Sequence, residues 1–283
     1  MSEPICNRYE FVLLFDVQNG NPNGDPDAGN MPRVDPETGK GIITDVCIKR
    51  KIRNYVEMKM AGETGYDIYV TDGAVLNNKQ KLAYEALKLD AKRNDARSLS
   101  QQYMCGRFFD VRTFGAVMDT GDYKCGQVRG PVQLCFSRSE DVILQQEVTI
   151  TRMAVTNEKD KEKERTMGRK YVVPYALYRL EGYITPAYAE RTGFCEADLE
   201  LLFEALANMF EIDHSAARGK MSSRKLFAFK HESKLGNAPA HVLFDAIRVA
   251  RKDAQNAPRD FTDYAVSVDK NKIPQDVALM ELL

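Results

Sequence analysis

An α/β domain interrupted by insertions is the fold class the sequence predicts, and three observations predict it. Tyr9 to Val17 is an aromatic and β-branched run suited to a largely buried strand. Two segments, 45–60 and 196–211, carry apolar residues at helical spacing. Within 283 residues there is no internal repeat, heptad array or long disordered linker, which favours one domain over 1–283.

The first strand runs into Gln18-Asn19-Gly20-Asn21-Pro22-Asn23-Gly24-Asp25-Pro26-Asp27, a dense cluster of turn formers. Pro32, Pro36, Gly39 and Gly41 extend loop character, so that about 18–43 reads as one long loop. Loops of that length inside a domain are usually functional or disordered. Thr44 then offers an N-cap and Asp45 sits near the positive end of a helix dipole. In the helix that follows, Ile48, Ile52, Tyr55 and Val56 form the buried stripe. Lys49 and Arg53 stand one turn apart, Arg50 extends their face, and Lys51 flanks the other side.

Further along, 66–70 reads as a short strand, 75–93 as a polar amphipathic helix and 110–115 as loop. Strands are predicted at 132–136 and from Val148 to Met153. Asn157 to Lys170 alternates in charge and has almost nothing to bury, so it is expected to project into solvent. Tyr171 to Ile184 is a strand interrupted by Pro174. In 196–211, Leu199, Leu202, Phe203, Leu206 and Phe210 point inward. Arg218 to Lys230 holds five basic residues and no acid, with a short strand expected at 226–229.

The composition excludes several classes. Apolar stretches fall far short of the roughly 18 residues a membrane span needs. The N-terminus lacks a secretory pattern, so a soluble cytoplasmic protein with no membrane partner is expected. Six irregularly spaced cysteines and three histidines offer neither a disulfide framework nor a zinc site. No phosphate-binding glycine motif and no nucleophile elbow occurs, and no cofactor is expected. Asp25, Asp27 and Asp35 could hold magnesium for phosphodiester cleavage. Asp beside Pro and Gly is also good turn chemistry, and that reading is preferred.

Taken as an average, the balance of 40 Lys+Arg against 41 Asp+Glu opposes nucleic-acid binding. The average conceals segregation. Positive charge gathers at 49–53 and 218–230, whereas 196–211 carries Glu196, Asp198, Glu200, Glu204 and Glu211. A basic helix face beside an Asn-rich loop containing Arg33 suits phosphate and sugar contacts.

A series of segments then resembles a known family. Phe15 to Asp27, Met31 to Asp35, Thr44 to Arg53, Asp110 to Met118 and Gly130 to Gln133 carry the likeness, as do Thr166 to Lys170, Ser215 to Gly219 and Phe229 to Ser233. In this order they resemble the backbone subunit of type I CRISPR effector complexes (Cascade), most closely the subtype I-C branch of the RAMP superfamily. The resemblance implies an RRM-like (ferredoxin-like) palm, a finger-like insertion at about 60–110 and a β-hairpin thumb at about 151–171. It also implies a non-catalytic protein whose copies stack in a filament along CRISPR RNA, beside other Cascade subunits, and present the guide to target DNA. On that likeness Lys49, Arg50 and Arg53 would grip RNA phosphates, with Asn19, Asn21 and Arg33 lining the adjacent loop. Met167, or its competitor Met153, would be the thumb's apolar wedge. Arg169 and Lys170 would flank it, with Arg112 and Arg218 as further RNA contacts. The minority alternative is a metal-dependent endoribonuclease using a loop aspartate.

Overall fold

The computed structural model describes residues 3–90, 95–159 and 166–283. Its centre is β1 (Tyr9–Gly20), which pairs antiparallel with β10 (Thr166–Ile184) on one side and β11 (Lys220–His231) on the other. The main sheet runs β14 (Val277–Glu281), β11, β1, β10, β8 (Ser137–Val142), β4 (Lys40–Ile43), with β7 (Val132–Leu134) and β9 (Gln146–Arg152) also paired to β10. All of these pairings are antiparallel.

The uninterrupted apolar run of β1 follows from burial on both faces. Phe11, Leu13, Phe15 and Val17 meet α1 (Asp45–Lys59) and α6 (Glu196–Ile212). Val12 and Leu14 meet the opposite layer, built from α7 (Ala240–Phe244), β12 (Ile247–Arg251) and β13 (Tyr264–Val268). Two acids of β1 are buried and each has an arginine partner, Arg8 for Glu10 and Arg224 for Asp16. Glu10 meets His231 Nε2 at 2.5 Å, while His231 Nδ1 accepts the Asn237 N–H at 2.8 Å. Asp16 accepts from Tyr175 at 3.0 Å and Arg224 at 2.9 Å, and burial raises its carboxyl above the ordinary range against the pull of Arg224.

α1 forms as its sequence predicts. Thr44 Oγ1 accepts the Cys47 N–H at 3.3 Å, Asp45 and Lys59 sit at the favourable ends of the dipole, and Ile48, Ile52 and Val56 are buried. Between α1 and β7 lies a segment with its own apolar cluster around Tyr69, Tyr84, Met104 and Phe108. It contains α2 (Leu76–Leu87), α3 (Ala96–Arg107), α4 (Phe109–Phe114), β5 (Gly115–Met118) and β6 (Gly126–Arg129).

Several local expectations differ. The expected loop 18–43 contains the end of β1, the short pair β2 (Gly24–Asp25) and β3 (Met31–Pro32), and β4. β4 escapes sequence reading because its partner β8 lies far along the chain. Residues 66–70 form no strand: Asp67 makes one isolated bridge to Phe108. α2 stops at Leu87 because Lys88 turns left-handed at φ 50°. The expected loop 110–115 is α4, buried along its whole length and ended by Gly115 at φ 82°. β11 spans twelve residues rather than four, its polar first half paired to the end of β1. Pro174 sits inside β10 opposite Asn19, which takes φ 51°. A proline has no N–H to donate there, and the ladder is interrupted at that point.

Two backbones cross closely beside this break. Asn21 N–H donates to the Ala217 carbonyl at 2.8 Å, and a Cβ on Gly20 would lie 1.8 Å from the Arg218 carbonyl oxygen. Only glycine permits this approach, which brings Arg218 beside the Asn-rich loop. Gly20→Ala is therefore expected to cost about 1–3 kcal/mol through overpacking. The urea midpoint should fall accordingly, and an unchanged midpoint would mean the crossing relaxes freely.

Candidate nucleic-acid interface

A cleft of about 810 Å³ opens where β1 ends. Its walls are the Asn-rich loop, the N-terminal half of α1 and residues 215–218, brought together by the crossing at Gly20. Asn23 fastens the loop to the helix, since its Oδ1 accepts from Thr44 N at 3.0 Å and Thr44 Oγ1 at 3.1 Å.

Arg33, Arg50, Arg53 and Arg218 all line this cleft, so four predicted cations from three distant segments converge. Their freedom differs. Arg50 reaches the fully exposed Asp72 at 3.4 Å, a weakly held pair. Arg33 meets Asp25 at 3.4 Å and Arg218 meets Asp213 at 3.2 Å. Arg53 is anchored more firmly: its Nε donates to Asp110 at 2.7 Å, and its guanidinium lies 5.3 Å from the Phe114 ring centre. The Asp110 carboxylate is itself held by the N–H groups of Tyr69 and Val70.

Lys51, which flanks the buried stripe of α1 on the side away from Lys49 and Arg53, also lines the cleft. Its side chain is buried and its ammonium pairs with Asp213, the same carboxylate that holds Arg218. Burial holds this lysine below its ordinary range, with Asp213 opposing. Burial likewise pushes up the Cys47 thiol beside it, against the pull of Lys51 and Arg218. One carboxylate between two cations leaves the cleft floor net positive. The signal for Lys51 was available only through Asp213, which lies 162 residues away.

The remaining predicted residues divide. Asn21 lines the cleft and is buried, with Nδ2 donating to the Asn30 carbonyl at 2.7 Å. Asn19 is exposed beside the crossing. Lys49 turns to Asp45 at 2.8 Å and over the Phe114 ring. β9 and the first part of β10 form a hairpin, Gln146 to Arg152 against Thr166 to Val172, whose β9 strand is exposed throughout. Met153 and Met167 are 73% and 78% exposed at its far end. The expected insertion 157–170 falls partly outside the described residues, at 160–165. Arg169 meets Glu147 at 3.1 Å within the hairpin, and Lys170 Nζ donates to the Ala216 carbonyl at 2.9 Å, tying the hairpin's base to the cleft's edge.

Arg112 is a correction. Expected as an RNA contact, it is buried and bidentate with Asp198, Nε to Oδ2 at 2.9 Å and Nη2 to Oδ1 at 2.7 Å. Tyr66 and Phe109 flank its guanidinium. It joins the inserted segment to α6 and has no free edge for a phosphate.

Two of the three loop aspartates have local tasks. Asp25 accepts the Asp27 N–H at 3.2 Å and meets Arg33, whereas Asp35 accepts from Glu37 N–H at 3.1 Å and Arg138 at 2.8 Å. The Arg138 guanidinium holds the Asp35 carboxyl below its ordinary range. Among the described residues no three His, Cys, Asp or Glu side chains gather as a metal set. No described helix is long and apolar enough to cross a membrane.

Residues 7–269 match the family described as CRISPR-associated protein Cas7. A relative from Haloferax volcanii, also described as CRISPR-associated protein Cas7, is 27% identical over 287 residues, covering 93% of this chain and 81% of the relative. A chain of a solved structure described as a CRISPR RNA-guided surveillance complex, pre-nicking, aligns with TM-score 0.52 at 14% identity, over 83% of this chain and 79% of that one. A second, from a CRISPR RNA-guided surveillance complex, aligns with TM-score 0.45 at 15% identity, over 77% and 68%. The likeness to the pre-nicking complex is one of fold: a mixed α/β architecture with a central antiparallel sheet.

Proposed function

The chain belongs to the CRISPR-associated protein Cas7 family, and from that premise we propose that it is the guide-RNA-binding backbone subunit of a type I, subtype I-C-like surveillance complex. Its copies line up along CRISPR RNA, beside the other subunits of the complex, and present the bases for pairing with target DNA. The observation that carries this reading is the convergence of Arg33, Arg50 and Arg218 on one cleft beside an Asn-rich loop. Cations with loosely held partners suit phosphates, and phosphate contacts accept any spacer sequence. In this reading the path β1, α1, β7–β8, β10, α6, β11 is the RRM-like palm, the segment between α1 and β7 the fingers, and the β9–β10 hairpin the thumb. Exposed Met167, or its competitor Met153, serves there as the apolar wedge. The protein acts in the cytoplasm by binding and does not cut.

The test is to mix the full chain with single-stranded RNAs of unrelated sequence and measure affinity and particle size. The expected result is near-equal affinity for all of them and growth into ordered multimers. Strong preference for one sequence, or no binding, would refute the reading. The same assemblies given complementary RNA and magnesium should leave it intact. Cleavage abolished by Asp→Ala at Asp25, Asp27 or Asp35 would establish the endoribonuclease alternative instead. Met153→Ala with Met167→Ala, both on exposed positions, should leave the melting temperature within about 2 °C while disturbing ordered growth on RNA. Normal multimers would remove these residues from the wedge role.

A further inference from the structure

The arginine cleft carries an unexpected apolar component. Val46, Val70 and Phe136 all line it and are all exposed. A site for anions alone has no use for such side chains, whereas a single strand offers phosphates and flat apolar bases together. Phe136 stands out among the three because it is aromatic and 55% exposed, in the two-residue break between β7 and β8.

Phe136 also lines a second, smaller cavity of about 180 Å³, so it is the wall the two spaces share. The charged lining of that cavity is mixed. Arg179 is committed: its Nε donates to Glu181 at 2.8 Å, and its two terminal nitrogens donate to the carbonyls of Ile247 and Phe244. Arg138 is committed to Asp35. That leaves Lys40 as a donor and Glu140 as an acid, its Oε1 buried without a hydrogen-bond partner and its carboxyl in the lining. Burial raises the Glu140 carboxyl above its ordinary range, with Arg179 and Lys40 opposing.

Two carboxylates in the lining, Glu140 and Glu181, make this cavity a poor place for a phosphate. A neutral, planar group with both donors and acceptors on its edge fits better, and one flat face can lie on Phe136. We propose that the cavity behind Phe136 is a nucleobase site: the strand held by its phosphates in the arginine cleft turns one base over Phe136, with Lys40 and Glu140 offered to the base edge. Because the Watson–Crick edge of every base presents both donors and acceptors, a pocket offering both need not choose among them. The inference rests on the RNA-binding reading and adds a base contact to its phosphate contacts.

The test compares the full chain with its Phe136→Ala variant on two probes, a single-stranded RNA and an abasic ribose-phosphate oligomer of equal length. Loss of one stacking contact should weaken RNA binding roughly 5- to 150-fold. Affinity for the abasic oligomer and the salt slope should stay as they were, since no phosphate contact is touched. Phe136→Tyr should restore RNA affinity. Phe136→Ala binding RNA as tightly as the parent, or losing as much on the abasic oligomer, would overturn the pocket and leave the cleft standing. A parent chain that binds no RNA would overturn both.

Discussion

Arg112→Ala is expected to destabilise the protein by about 3–5 kcal/mol, because it strands a carboxylate that folding has already taken out of water. Asp198 is almost wholly buried, and both its oxygens accept from Arg112. The same carboxylate accepts the Cys195 N–H at 3.1 Å and so caps the start of α6. Removing the arginine leaves one of these two tasks and an uncompensated charge. Arg112 also donates to the carbonyl of Gly65, so the tie between the inserted segment and α6 loosens at the same time. Replacing both partners with leucine should recover much of the loss, since a buried pair is often no better than apolar residues of similar volume. Urea denaturation measures this directly, with an unchanged m-value showing that the unfolded state is not at issue. RNA affinity per folded molecule should be unaltered. A variant that stayed within about 1 kcal/mol of the parent but lost RNA affinity would return Arg112 to the interface.

That residue also marks where sequence reading stops. Arg112 stands in a short stretch that mixes apolar and charged residues without a clear periodicity, and its partner is 86 positions away. Nothing local distinguishes a charge that will be buried and paired from one left in solvent. Lys51 meets the same limit: on the helix it flanks the stripe, and only Asp213 explains its burial. By contrast β1, α1 and α6 were legible because each is long and strongly patterned, and the stripe Ile48, Ile52, Val56 is buried as the spacing requires.

The candidate site was legible in its cations and not in its walls. Arg33, Arg50, Arg53 and Arg218 were visible as basic residues near a turn-rich loop or in an acid-free stretch. That they share one cleft depends on the crossing of Gly20 with Arg218, a contact between residues 198 positions apart. Phe136 carried no signal, since one aromatic after a short strand usually packs inward. β4 and the layer from Ala240 to Val268 were missed because strands of four or five residues become recognisable only once their partners are known.

Arg33→Ala, Arg50→Ala and Arg218→Ala combined should weaken RNA binding roughly 100-fold or more at about 0.15 M salt, if each forms a charged contact with a phosphate. Three lost phosphate contacts on a single strand should also reduce the slope of log affinity against log salt by about 2. The choice of residues follows from their partners. Arg50 and Arg33 have exposed or partly exposed pairs at 3.4 Å, so removing them strands no buried charge. Arg218 shares Asp213 with Lys51, which continues to neutralise that carboxylate when the arginine is gone. Arg53 is left in place because its Nε holds the nearly buried Asp110, and its loss would confuse unfolding with lost binding. The triple variant should therefore melt close to the parent, and the loss should be equal for RNAs of different sequence. Unequal losses would mean that these arginines read bases. An unchanged affinity with an unchanged salt slope would mean that RNA runs along another face, and the cleft would then be a solvated groove.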